Sequence, residues 1–134
     1  MIDYLTATPP TPAALAPLWR DGIAISVVNY MELVEGIRDS RNRRSNELVF
    51  RRFLKRARVL GVTRPVAEHA ARLRSELRSG GRRIDHRHLD IFIAATAIEY
   101  RLVLITRNLL DYSDIAGVRL ISLADLGDTT NPRQ

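Results

Sequence analysis

The sequence predicts an α/β fold in which a parallel sheet lies between layers of helices. Two short apolar runs, at residues 23–28 and 102–105, are typical of strands buried inside such a sheet, and a last strand is predicted over residues 118–122. A weaker strand is predicted over residues 59–62. Helical segments separate these runs, and this alternation is typical of parallel sheets because parallel neighbours need a crossover connection.

The helices are predicted from their start signals and from apolar residues at three- and four-residue intervals. They are expected over residues 12–20, 30–37, 42–56 and 65–77. Thr11 and Asn29 are the predicted N-caps of the first two, and a proline suits the first helical position at 12 and 65. The inward side chains are predicted to be Leu48, Val49, Phe53 and Leu54 in the third helix, and Val66, Ala70, Leu73 and Leu77 in the fourth.

Residues 89–112 combine an apolar helix, a strand and a polar turn. The helix carries Asp90 in its first turn, where the helix dipole favours a negative charge. The strand ends at Thr106, and Asn108 and Asp111 follow it. Functional side chains of open parallel sheets collect beyond the carboxyl ends of the strands. We therefore expect Asp90 and Asp111 to meet at one edge of the sheet.

The composition indicates one globular domain of 134 residues, with a net charge of +6 carried almost entirely by arginine. The chain has no cysteine, which excludes disulfides and thiolate metal sites. It shows neither a long apolar run nor a secretory signal, so a cytoplasmic protein with no membrane span is expected. The basic charge suits RNA or an acidic protein partner, and solvated helix faces explain it equally well.

Several segments resemble PIN-domain ribonucleases, specifically the VapC-type toxins of bacterial toxin–antitoxin pairs. The matching segments are LDIFIAATA at 89–97, LITRN at 104–108, DY at 111–112 and DIAGV at 114–118. The resemblance extends over about residues 1–123. It implies a PIN-like three-layer sandwich, with a nuclease domain over residues 1–126 and a C-terminal tail over 127–134.

The resemblance also implies a set of acidic site residues. SVVNYMEL at 26–33 matches a family segment that supplies a glutamate, so Glu32, Asp90 and Asp111 are predicted to be catalytic and to bind Mg²⁺ or Mn²⁺. Such hard cations prefer carboxylate oxygens, and they promote phosphodiester hydrolysis. Ser26, Thr106 and Asn108 are predicted to orient these carboxylates or water. Each acid alone also has a structural explanation, as a helix-start charge, a solvated helix residue or a turn former.

The function implied is a metal-dependent endoribonuclease, the toxin of a type II toxin–antitoxin pair. Its predicted partners are an RNA substrate, a VapB-like antitoxin and a second copy of the chain. The arginines predicted to contact RNA are Arg82, Arg83, Arg87 and Arg107. The helix at 42–56 is either one side of a groove for an antitoxin helix or an ordinary amphipathic helix.

One departure from the family pattern concerns the N-terminus. The family begins with a central strand that ends in L-D-T, and its aspartate is a principal metal ligand. Residues 1–5 match a later family segment, the first helix, so the central strand and its aspartate are predicted to be missing. We therefore expect Met1 not to be the natural start. The alternative is a truncated, inactive PIN domain that retains RNA or antitoxin binding.

Overall fold

The structure is a computed structural model that describes residues 2–7 and 22–128. Within them lie five strands, β1 Tyr4–Thr6, β2 Ile23–Ser26, β3 Arg58–Leu60, β4 Val103–Thr106 and β5 Arg119–Ser122. The α-helices are α1 Val27–Arg38, α2 Arg43–Leu54, α3 Arg64–Ser79, α4 His88–Tyr100 and α5 Leu123–Asp128, and a 3-10 turn spans Leu109–Asp111. The helix predicted over 12–20 and most of the predicted tail lie outside the described residues.

The five strands form one parallel sheet in the order β3-β2-β1-β4-β5. The centre is occupied by β1, whose Tyr4 pairs with Ile23 on one side and with Val103 on the other. The prediction that the first central strand is missing is therefore wrong, as is the match of residues 1–5 to a helix. Three residues are enough to form the central strand, because β2 and β4 both make backbone hydrogen bonds with β1 and the side chain of Leu5 is fully buried. So short a segment shows no periodicity that separates strand from helix.

Helices cover both faces of the sheet, which confirms the predicted three-layer sandwich. Successive strand residues point to opposite faces. Leu5 and Leu104 accordingly belong to the core beneath α3 and α4, whereas Ile25 and Ile105 belong to the core beneath α1 and α2. Among the described residues, no helix is both long and apolar enough to cross a membrane.

The inward residues predicted for α3 are confirmed, since Val66, Ala70, Leu73 and Leu77 are all buried. The prediction for α2 is partly wrong. Its buried residues are Phe50 and Phe53, while Leu48 is 57% exposed and Val49 38% exposed. The buried face of α2 packs against α1, where the ring of Phe50 contacts the ring of Tyr30 with centroids 5.4 Å apart.

The start of α1 also differs from the prediction, because Ser26 rather than Asn29 is the N-cap. The Ser26 hydroxyl accepts a hydrogen bond from the Asn29 backbone N–H at 3.0 Å. The Asn29 side chain is buried and donates to the Thr6 carbonyl at 2.9 Å. This bond fixes the first turn of α1 to the carboxyl end of the central strand.

Candidate functional site

The three predicted acids lie on three different elements that reach the carboxyl edge of the sheet. Glu32 lies on α1, which starts directly after β2, and Asp111 lies in the 3-10 turn that follows β4. Asp90 lies in the first turn of α4. Since α4 leads into β4 from the opposite direction, its N-terminal end also lies at the carboxyl edge. The fold thus brings three acids that are distant in sequence to one region.

Glu32 and Asp90 are each affected by burial and by a neighbouring carboxylate. Burial and the negative charge of Asp90 raise the pKa of Glu32. Burial and the negative charge of Asp111 raise the pKa of Asp90, against the opposing effects of a hydrogen bond from Tyr112 and the positive charge of Arg87. Crowded carboxylates of this kind are stabilised by a cation, because a cation removes their mutual repulsion.

Tyr112 is a site residue to which the sequence reasoning gave no role. Its ring is buried and its hydroxyl donates a hydrogen bond to Oδ1 of Asp90 at 3.3 Å. Burial and the charge of Asp90 raise the pKa of this phenol, which therefore stays protonated and keeps donating. The position directly after Asp111 was its only sequence signal.

The predicted supporting residues act at different distances from the acids. Asn108 contacts the acid directly, because its Nδ2 donates to Oδ1 of Asp111 at 3.2 Å. Thr106 acts through Asn108, whose backbone N–H donates to Oγ1 of Thr106 at 3.1 Å. Ser26 acts on the backbone, because it caps α1, the helix that carries Glu32.

The residue that follows the central strand is Ala7, and neither it nor Thr6 offers a carboxylate. Ala7 donates its backbone N–H to the Ile105 carbonyl at 2.8 Å and packs against the same core as Leu5, on the α4 side of the sheet. The family resemblance implies an aspartate at the end of this strand, and neither Thr6 nor Ala7 supplies one, although the strand is present. Asp3 cannot supply the missing carboxylate, because it precedes β1 and an extended strand places it about 13 Å from Ala7.

The chemistry of the acids suits a hard cation, but their spacing does not yet form a closed site. Oxygen donors without sulfur or imidazole are the set that Mg²⁺ prefers. Across residues 2–7 and 22–128, however, no three Asp, Glu or His side chains lie close enough to hold one ion. To hold one cation, the three carboxylates would have to rotate toward one another. Ala7 adds no carboxylate to this set.

The arginines predicted to contact RNA fall into two groups. Arg82, Arg83 and Arg107 are exposed, and Arg82 also lies 3.8 Å from the Asp114 carboxylate. Arg87 is partly buried and forms an ion pair with Asp114. The first group is therefore better placed to meet a phosphate backbone than Arg87 is.

The raised pKa of Glu32 predicts how stability depends on pH. The folded protein binds the proton of the Glu32 carboxyl group more tightly than the unfolded chain does. Protonation of Glu32 therefore stabilises the fold fully at a pH below the ordinary pKa, and this contribution is lost as the pH rises through the raised pKa of the folded state. At pH 7, Glu32→Gln is expected to unfold at a temperature about 2 °C above that of the parent, and the difference should vanish at about pH 4.

Thermal unfolding followed by circular dichroism at several pH values measures this difference. The exposed Glu68→Gln serves as the control and should show no such dependence. A Glu32→Gln protein that melts below the parent at neutral pH would show that the Glu32 charge stabilises the fold.

Comparison with known proteins identifies the family. The PIN domain family matches residues 1–116. The tRNA(fMet)-specific endonuclease VapC of Shigella flexneri is 31% identical over 97 residues, covering 72% of each chain. The protein of the same name from Salmonella typhimurium is 32% identical over 98 residues, covering 73% of each chain.

Solved structures show the same fold. VapBC2 from Rickettsia felis, bound to a promoter DNA fragment, superposes with a TM-score of 0.78 at 26% identity, covering 91% of this chain and 98% of that chain. DNA-bound VapBC from Salmonella typhimurium gives a TM-score of 0.77 at 25% identity, covering 92% and 99%. The chain therefore belongs to the PIN-domain family and, within it, to the VapC type.

Proposed function

We propose that this protein is the toxin of a type II toxin–antitoxin pair and acts as an endoribonuclease. The observation that carries the proposal is the location of Glu32, Asp90 and Asp111 at the same edge of the sheet, where burial and neighbouring carboxylates raise the pKa values of Glu32 and Asp90. The relatives that are named tRNA(fMet)-specific endonucleases support hydrolysis of RNA as the reaction.

The proposed cofactor is Mg²⁺ or Mn²⁺, held by Glu32, Asp90 and Asp111. When bound, such a cation supplies an acidified water and stabilises charge on the phosphate. The chain itself sets the acids in place: Asn108 restrains Asp111, and Tyr112 restrains Asp90 through its hydroxyl. Arg82, Arg83 and Arg107 are proposed to bind the RNA backbone, because exposed cations release counterions from phosphates.

The proposed protein partner is a VapB-like antitoxin, since the matched structures from Rickettsia felis and Salmonella typhimurium are VapBC assemblies. A cavity of about 320 Å³ between α1 and α2 suits an apolar segment of such a partner. It is lined by Leu33, Gly36, Ile37, Val49 and Phe50, with Asn46 and the site residue Glu32. A homodimer, which the family resemblance implies, and the cytoplasmic location expected from the sequence complete the proposal.

A second candidate function is a PIN domain that binds RNA or antitoxin without cutting. Two observations favour it: neither Thr6 nor Ala7, at the end of β1, is the aspartate that the resemblance implies, and the three acids do not form a closed site. In that case the acids would contact cationic side chains of the partner instead of a metal ion.

Cleavage of RNA by the purified chain, free of antitoxin, separates the two candidates. The substrates are tRNA and a mixed RNA pool, each incubated with Mg²⁺, with Mn²⁺ or with EDTA. We expect cleavage only where the divalent cation is present. RNA that is bound but uncut at every cation concentration would contradict the nuclease and support the second candidate.

A further inference from the structure

We infer that Arg87 and Asp114 are positioning residues, which hold the turn carrying Asp111 against the start of α4. The two side chains form a cross-link between the segments that supply Asp90 and Asp111. The inference deepens the proposed function, because its catalytic consequence depends on those acids forming the site.

The contacts of Arg87 are specific. Nη2 donates to Oδ1 of Asp114 at 2.7 Å and Nη1 donates to Oδ2 at 2.9 Å, which makes the ion pair bidentate. Nη2 also donates to the backbone carbonyl of Asp111 at 3.1 Å. One guanidinium therefore holds both ends of the segment from Asp111 to Asp114.

The position of each partner in the chain makes this bond a link between the acids. Arg87 is the residue directly before α4, three positions ahead of Asp90. Asp114 follows Asp111 by three positions. The Tyr112 hydroxyl makes a second bond between the same two segments, to Asp90. Together the two links restrain the Asp111 turn relative to α4.

Burial separates this pair from ordinary surface ion pairs. Both side chains are only 19% exposed, and the Arg87 guanidinium holds the pKa of Asp114 below its usual range. The pair Arg43–Glu47, by contrast, is 3.9 Å apart with side chains 56% and 44% exposed. Exposed pairs of that kind contribute little, because solvent screens them and side-chain entropy opposes them. Arg43–Glu47 is thus a matched control.

The charge of Arg87 adds a second effect. Its positive charge acts on both Asp90 and Asp111 and so offsets the repulsion between these two acids. Loss of the guanidinium would both free the Asp111 turn and leave the repulsion between the two acids without this offset. Replacement by lysine separates these effects, because lysine keeps the charge but lacks the planar fork.

The experiment compares Arg87→Gln, Arg87→Lys, Asp114→Asn and the double variant Arg87→Gln/Asp114→Asn with Arg43→Gln. Amide hydrogen exchange over residues 109–115 reports the turn directly. We expect exchange there to accelerate about 10-fold in Arg87→Gln and Asp114→Asn. The double variant should exchange no faster than Arg87→Gln, because that single variant has already lost the ion pair. Arg87→Lys should fall between the parent and Arg87→Gln.

Mn²⁺ affinity is measured in the same proteins by isothermal titration. It should weaken by about 10-fold in Arg87→Gln, a typical cost of losing a residue that orients a metal ligand. Faster exchange with no Mn²⁺ binding even by the parent would support the cross-link and contradict the proposed function. Exchange over 109–115 that is unchanged in both Arg87→Gln and Arg87→Lys would overturn the inference.

Discussion

Replacing Asp90 by asparagine is expected to lower cation-dependent RNA cleavage by at least about 100-fold without unfolding the protein. The substitution removes one of three carboxylates at the site while preserving the shape of the side chain. Oδ1 of the asparagine can still accept the hydrogen bond from Tyr112. Because burial and Asp111 disfavour the ionised form of Asp90, removal of its charge should not lower the melting temperature.

Initial rates of RNA cleavage and thermal melts of the same preparations test this expectation together. The matched control is Asp85→Asn, the same change at an exposed acid in the loop before α4, which should cut RNA at the parent rate. An Asp90→Asn protein that retains Mg²⁺-dependent cleavage would place the catalytic centre elsewhere on the molecule.

Replacing Ala7 by aspartate is expected to strengthen binding of Mn²⁺ and to increase RNA cleavage, each by about 10-fold or more. Ala7 follows the central strand and stands between the carboxyl ends of β2 and β4. Its Cβ lies on the α4 side of the sheet, the side from which Asp90 approaches. A carboxylate there would add a fourth oxygen donor to the acids at this edge.

The same variant should be less stable than the parent when no cation is present, because a further negative charge enters a region of raised pKa values. Added Mn²⁺ should recover that loss through preferential binding to the folded state. Ala71→Asp, which adds a carboxylate at an exposed position of α3, is the control and should respond to neither. If Ala7→Asp leaves both cleavage and Mn²⁺ affinity unchanged, the end of β1 is not part of the site.

The sequence was informative where a pattern extends over several turns or strands. The inward stripe of α3, from Val66 to Leu77, follows directly from helical spacing and is buried as predicted. The apolar α4 and the strand after it led to the correct fold class, because such runs are typical of buried parallel architecture. The meeting of Asp90 and Asp111 followed from where functional residues collect in parallel sheets.

Features that depend on a single short contact were not predictable in the same way. The strand β1 has three residues, and only its pairing with β2 and β4 distinguishes it from a helix start. The ion pair between Arg87 and Asp114 joins residues 27 positions apart, and no local pattern indicates that the two side chains pair. The burial of Tyr112 likewise depends on the tertiary packing around Asp90, which no periodicity encodes.

The number of Mn²⁺ ions bound per chain, counted by electron paramagnetic resonance, tests the central claim most directly. If Glu32, Asp90 and Asp111 surround a common cation, the parent binds one Mn²⁺ per chain and the Asp90→Asn protein binds none at the same concentration. Equal Mn²⁺ binding by the parent and by Asp90→Asn, or none by either, would contradict a shared metal centre at this edge of the sheet.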